Sequence, residues 1–251
     1  MKTFTAADLH FVDELSSTNS LLREIWEKEP LLSEAYALAS FNQTAGRGQQ
    51  DNIWVSEAGK NIAYSVFLRP GHLSPASFFV LSQAISLALL KTLGEEIGLQ
   101  AEIKWPNDIY VDDKKIAGIL IENELRGKSI LGSIAGIGIN INQEQFSPNL
   151  PNPVSVFQLC GRTFDLVDLT LALHYRLGEA YAKTFTEEGK TEIAAAYHRH
   201  LYRKEGFHHY KQGNRPFRAR ILRVMPSGQL EVESDEGWIR AFAFKEIEYL
   251  I

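Results

Sequence analysis

Hydrophobic and polar positions change period several times along the chain, and each change marks an element. Leu21, Leu22, Ile25 and Trp26 recur at helical spacing; Ser17-Thr18-Asn19 precede them as candidate N-caps, and Pro30 ends the helix. Residues 36–41 read as a strand that runs into Asn42-Gln43-Thr44-Ala45-Gly46-Arg47-Gly48-Gln49-Gln50-Asp51-Asn52. That polar segment, rich in glycine and amides, is long and has little to pack, which is the character of a binding loop or lid. Residues 61–69 alternate as a strand. Ser74-Pro75 then opens a helix, with serine as cap and proline in the first turn, running to about Ile97 and stopped by Gly98. Apolar residues cover nearly every side of it, which predicts packing against a sheet.

Residues 109–111 and 116–121 are apolar β-type runs on either side of Asp112-Asp113-Lys114-Lys115, a hairpin with a charged turn. Its approach, Lys104-Trp105-Pro106-Asn107-Asp108, is stiffened by Pro106, which keeps Trp105 extended and removes a backbone donor. In residues 129–141, Gly136 and Gly138 lie two apart and so share one face of a strand. A strand face without side chains leaves a slot for a flat ligand, or for another element packed close; Gly118 in the preceding strand reads the same way. Asp165 caps a helix reaching about Thr186, and another runs from about Thr191 to Tyr202. Thereafter the elements shorten: strands at 217–225, 229–233 and 238–244 are separated by Pro226-Ser227-Gly228 and Asp235-Glu236-Gly237. This is the pattern of a small antiparallel barrel or curved sheet, and it divides the chain into 1–205 and 206–251.

Composition narrows the function classes. An apolar share of 45% and a charged share of 23% are ordinary for a globular protein. A net charge of −5 argues against nucleic-acid binding. Cys160 is alone, so it forms neither an internal disulfide nor a metal cluster, and the seven histidines are not at metal-ligand spacing. The N-terminal residues hold no apolar signal core, and Ser82, Gln83 and Ser86 interrupt the most apolar stretch, 78–93, so a buried helix fits better than a membrane span. A reduced, cytoplasmic setting follows.

Four polar clusters fall at element edges: Ser17-Thr18-Asn19, 43–49, 104–115 and 136–140. Lys104, Lys115 and Arg47, with glycines that let the backbone approach, imply an anionic ligand and a reaction that develops charge on phosphate oxygens.

Five motifs in order then resemble the biotin–protein ligases over about residues 10–145: Ser17-Thr18-Asn19; Gln43-Thr44-Ala45-Gly46-Arg47-Gly48 followed by Trp54; Lys104-Trp105-Pro106-Asn107-Asp108; Lys115-Ile116-Ala117-Gly118; and Gly136-Ile137-Gly138-Ile139-Asn140. The resemblance implies an α+β protein: a catalytic domain related to class II aminoacyl-tRNA synthetases, its mixed sheet flanked by helices, followed by a small SH3-like β-barrel. It implies biotin and ATP as substrates, Mg²⁺ with the ATP, biotinyl-5′-AMP as intermediate, and a lysine of a biotin carboxyl carrier protein as acceptor. By the same resemblance Lys115 contacts the biotin carboxylate and the nucleotide phosphate. Ser17, Thr18, Asn19 and Gln43 surround the ureido ring, while Gly118, Gly136 and Gly138 pass close to the biotin. Arg47, Gly48 and Gln49 belong to the loop over the adenylate, and Lys104, Trp105, Asn107 and Asn140 are assigned to ATP. The loop 44–52 is expected to order over the intermediate, with Arg47 reaching its anionic centre. Relatives commonly carry basic residues at or near Gln49 and Asn52; the neutral pair here implies a weaker hold. Nothing before Phe11 could form the DNA-binding helix-turn-helix of some relatives, so neither DNA nor membrane is expected as partner; a homodimer is left open. Two other readings remain: a lipoate–protein ligase-like acyl ligase, and a non-catalytic biotin-binding module.

Overall fold

Strand β1 (Leu9–Phe11) and helix α1 (Thr18–Lys28) open the chain, followed by β2 (Ala37–Ser40), β3 (Gly46–Arg47), β4 (Ile53–Trp54) and β5 (Ile62–Leu68). Next come α2 (Phe79–Thr92), β6 (Glu102–Lys104), β7 (Asp108–Val111), β8 (Lys114–Arg126) and β9 (Ser129–Ile139). Helices α3 (Val156–Cys160), α4 (Leu166–Lys183) and α5 (Glu187–Arg199) lead to β10 (His208–Gln212), β11 (Arg215–Val224), β12 (Leu230–Ser234), β13 (Ile239–Phe242) and β14 (Glu248–Tyr249). This is a computed structural model, describing residues 2–49, 52–127 and 129–251.

Seven strands form a mixed sheet in the order β1-β2-β5-β9-β8-β7-β6, with β1 and β2 parallel and the other neighbours antiparallel. Period-2 alternation sorts its two faces. Tyr64 and Val66 of β5, with Ala135, Ile137 and Ile139 of β9, join the large core that holds α2 and α4. Phe67 and Ile134 point the other way, into a smaller core with Leu22 of α1. The five strands β13-β12-β11-β10-β14 form a separate antiparallel sheet whose Tyr210, Ile221 and Phe242 continue the large core.

Several elements differ from their sequence reading. Lys114 and Lys115 lie in β8, leaving Asp112-Asp113 as the turn, because Asp112 takes the positive φ of 51° that a tight reversal needs. The helix expected from Ser74 to Ile97 breaks into a 3₁₀ turn, α2 and a π-helical turn before Gly98 (φ 84°) ends it. Ser74 makes no cap bond to the backbone; its Oγ lies 2.9 Å from Ser77 Oγ instead. The last helix is capped by Thr186 and ends at Arg199 rather than Tyr202, because Tyr202 N donates to the Ile103 carbonyl on the sheet edge. Strands β1, β6 and β14 and the β3–β4 ribbon are too short to show a periodic signal, and β10 is a polar run in which Tyr210 alone is buried.

On the helical face, His174 of α4 is fully buried, with Nδ1 2.8 Å from Tyr64 OH and Nε2 3.1 Å from the Thr5 carbonyl. A carbonyl only accepts, so Nε2 carries the proton and Nδ1 accepts from the tyrosine. Burial lowers the His174 pKa, against the pull of the Thr5 carbonyl and Asp8. The unfolded chain therefore binds a proton that the folded chain refuses, and stability falls as pH drops below about 6.5. Melting curves between about pH 7 and pH 5 are expected to show this loss, and His174→Leu to reduce it, with His72, His198 and His200, lowered by burial in the same direction, supplying the rest. Equal slopes in both proteins would contradict the assignment.

Candidate active site

The face of the sheet opposite α2 carries a strip of small residues. One cross-strand row reads Ala63, Gly138, Gly118, Asp108 over β5, β9, β8 and β7; the next reads Ser65, Gly136, Leu120. Around this floor stand the start of α1, the β3–β4 ribbon, the 105–107 turn and residues near the end of the chain, enclosing a cleft of about 570 Å³. That volume suits a nucleotide-sized ligand.

Glycine at the floor is a requirement of close approach. A Cβ at Gly136 would overlap Asn19 Oδ1 and stand 2.9 Å from its Cγ, and one at Gly138 would lie 2.8 Å from Trp54 Nε1. The two glycines thus receive Asn19 and Trp54, the close-packing alternative of the sequence reading. A Cβ at Gly118 would lie 3.2 Å from Lys115 Cε, so the lysine stem crosses the floor there.

A polar network lines one end. Thr18 N donates to Gln43 Oε1 at 2.9 Å, and Ser65 Oγ donates to Asn19 Oδ1 at 2.6 Å while lying 2.7 Å from Thr18 Oγ1. Asn19 Nδ2 donates to Glu122 Oε2 at 2.9 Å, and Arg47 Nη2 to Glu122 Oε1 at 3.0 Å. Ser17 is the N-cap of α1, accepting from Ser20 N, so the capping reading holds for it while Thr18 and Asn19 join the network.

Cations gather toward the other end. Lys115 Nζ pairs with Asp108 Oδ1 at 2.6 Å and lies 5.8 Å from the centre of the Trp54 ring. Lys104 Nζ donates to Tyr110 OH at 3.1 Å. Burial lowers the Lys104 pKa, with Asp108 opposing and Arg203 adding to the shift, and burial raises that of Tyr110. Asn107 is locked to β8: its Nδ2 donates to the Ile119 carbonyl at 2.7 Å and its carbonyl accepts from Ile119 N at 2.9 Å. Trp105 is buried and donates through Nε1 to the Gly228 carbonyl at 2.9 Å.

Every site residue singled out from the sequence lines this cleft except Asn140. Asn140 is buried at the end of β9, its Nδ2 donating to the Val154 carbonyl at 3.1 Å, so its side chain ties β9 to the following connection. Arg47 is engaged by Glu122, and Gly46–Arg47 pairs with Ile53–Trp54 in the ribbon; Gln50 and Asp51 of the expected lid lie outside the described residues. The sequence reading missed Ser65, Glu122 and Tyr249, and named Asp108 in its motif without giving it a role. The signal for two of them is a polar residue inside an apolar strand run: Ser65 between Tyr64 and Val66, Glu122 directly after Ile121.

Comparison with known proteins places the chain among relatives. The biotin/lipoate A/B protein ligase family model matches residues 11–140. The bifunctional ligase/repressor BirA of Bacillus subtilis is 29% identical over 233 residues, 91% of this chain and 70% of that protein. The biotin–[acetyl-CoA-carboxylase] ligase of Paracoccus denitrificans is 36% identical over 159 residues, 60% of this chain and 65% of that one. Among solved structures, the biotin protein ligase from Aquifex aeolicus in complex with biotin and ATP superposes with a TM-score of 0.78 at 25% identity, covering 96% of this chain and 97% of its own.

Proposed function

The chain belongs to the biotin/lipoate A/B protein ligase family, and from that premise we propose that it is an ATP-dependent biotin–protein ligase. It activates biotin as biotinyl-5′-AMP and transfers it to a lysine of a biotin carboxyl carrier protein. The observation that carries this reading is the position of Lys115, stretched over Gly118 between the polar network and the Lys104 end of one cleft. A carboxylate is a poor acyl donor and repels a polyphosphate. An ammonium between the two anions offsets that repulsion and stabilises the charge that develops as they react.

In the first step a biotin carboxylate oxygen attacks the α-phosphorus of ATP, the bond to the β-phosphate oxygen breaks, and pyrophosphate leaves. Thr18, Asn19 and Gln43 supply the neutral donors and acceptors that a ureido ring needs, and Ser65 fixes two of them. In the second step the carrier amine attacks the acyl carbon, the acyl–oxygen bond breaks and AMP leaves. Asp108 is the carboxylate on the floor able to take the amine's proton, and its ion pair with Lys115 keeps it there. Mg²⁺ we place on the nucleotide phosphates. Among the described residues no three His, Cys, Asp or Glu side chains converge to hold it, and Asp108 is the one floor carboxylate that could reach it.

Residues 1–205 would form the biotin/ATP domain and 206–251 the small C-terminal domain, and the single cysteine supports a cytoplasmic setting. A net charge of −5 supports a role without duplex DNA. No helix among the described residues is long and apolar enough to cross a membrane.

The test is biotin-dependent pyrophosphate release from ATP, followed by mass analysis of a carrier domain. Release with lipoate in place of biotin, or with neither acid, would overturn the reading. A second expectation concerns retention of the intermediate. Gln49 lines the cleft with its Oε1 buried and, among the described residues, lacking a hydrogen-bond partner. Gln49→Arg adds a cation there and is expected to slow adenylate dissociation about fivefold, ~1 kcal/mol for a partly exposed pair. An unchanged escape rate of biotinyl-AMP would count against a loop role for residue 49.

A further inference from the structure

Lys104 is held differently from Lys115. Among the described residues no carboxylate lies within ion-pair distance of its ammonium, although the side chain is largely buried. Instead Nζ donates to the Tyr110 hydroxyl at 3.1 Å, and stands 4.8 Å from the centre of the Tyr110 ring and 5.3 Å from that of Tyr249. Aromatic faces stabilise an ammonium through their quadrupole. Unlike a carboxylate in contact, a ring carries no net charge of its own, so the ammonium stays available to an anion, with Asp108 acting on it only from beyond ion-pair distance.

The two rings come from distant parts of the chain. Tyr110 sits on β7, beside the floor. Tyr249 sits on β14, and the structure holds it firmly. Its register partner on β10 is Tyr210, with ring centres 5.0 Å apart, and Leu250 N donates to the His209 carbonyl at 3.1 Å. Arg203 Nη1 donates to the Leu250 carbonyl at 2.8 Å. Tyr202 closes the cluster, 5.3 Å from Tyr110 and 6.0 Å from Tyr249 between ring centres. Among the described residues the buried Tyr249 hydroxyl has no hydrogen-bond partner, and the contact the position makes with Lys104 is through the ring.

We propose that Tyr249 is a positioning residue for the adenylation step: with Tyr110 it clamps the Lys104 ammonium where the phosphates of ATP bind, so that the C-terminal strand sets nucleotide affinity. The proposal rests on the ligase reading above. Burial and Arg203 work against the charged form of Lys104; Asp108 works for it, and the two rings add to that.

The experiment is exchange of labelled pyrophosphate into ATP by the full chain, with KM for ATP and for biotin measured separately. Tyr249→Leu and Tyr249→Met, the second keeping more of the apolar volume, are expected to raise the ATP KM about fivefold to tenfold, with the biotin KM within about twofold. Tyr249→Phe keeps the ring face and is expected to return the ATP KM to the wild-type value. In a Lys104→Ala background, Tyr249→Leu is expected to add less than about twofold, because its effect passes through the lysine. Melting curves confirm that each variant is folded. Equal damage by Phe and Leu, a parallel rise in both KM values, or a further full loss in the Lys104→Ala background would overturn the proposal. Wild-type protein without biotin-dependent exchange would remove the ligase reading, and the proposal with it.

Discussion

Lys115→Ala is expected to reduce biotinyl-adenylate formation by about 10²–10³-fold, the scale of one preorganised donor, ~3–4 kcal/mol. The magnitude follows from how the side chain is held. Its stem lies over Gly118, where any Cβ would stand 3.2 Å from Cε, and its ammonium is paired at 2.6 Å with Asp108. The charge is therefore in place before ligand arrives and needs no reorganisation during the reaction. Lys115 is about a third exposed, so the lost ion pair itself is worth under about 1 kcal/mol of stability, and the variant should fold. Lys115→Arg should rescue poorly, since a planar fork does not follow the path of a flexible stem across the glycine. Pyrophosphate release with biotin and ATP saturating is the measurement. Near-normal release by the folded Ala variant would mean that Lys104 or Arg47 carries the phosphate charge instead.

The parts of this site that are legible in the sequence are those whose signal is local. The charged turn between two apolar runs gives the β7–β8 hairpin, and the two-residue spacing of Gly136 and Gly138 gives their common face. What meets that face is a long-range fact. Asn19 and Trp54 arrive from helix α1 and from a two-residue strand, and no periodicity in β9 announces either. Strand β4 is Ile53–Trp54 alone, so the ribbon that carries Arg47 reads as plain loop. Asn140 shows the converse. It ends a motif that otherwise faces the cleft, yet the strand stops at Ile139 and the side chain turns to Val154. Tyr249 is invisible for a different reason: its partner Lys104 is remote in sequence, and one aromatic near a chain end carries no pattern.

Gly136→Ala is expected to weaken biotin binding by about 10–100-fold while leaving ATP binding nearly unchanged. The new methyl would overlap Asn19 Oδ1, and Asn19 has nowhere to retreat without breaking bonds. Its Oδ1 accepts from Ser65 at 2.6 Å and its Nδ2 donates to Glu122 at 2.9 Å, with Ser65 and Asn19 both buried. Displacing the amide parts Asn19 Oδ1 and Nδ2 from their partners, at about 1–3 kcal/mol each, part of which water entering the cleft offsets, while Ser65 keeps Thr18 and Glu122 keeps Arg47. The same shift removes one of the donors proposed for the ureido ring. Glu122, relieved of Asn19, still holds Arg47, and Lys115 and Lys104 are held at the other end by Asp108 and Tyr110, so ATP binding should be spared. Isothermal titration with biotin alone and with ATP alone separates the two ends. A double variant, Asn19→Ala with Gly136→Ala, tests the steric cause. Once the amide is gone the methyl has room, so the second substitution should cost little beyond the first. If Gly136→Ala instead weakens ATP and biotin equally, or adds its full cost on top of Asn19→Ala, the glycine serves the floor's backbone packing rather than the seat of Asn19.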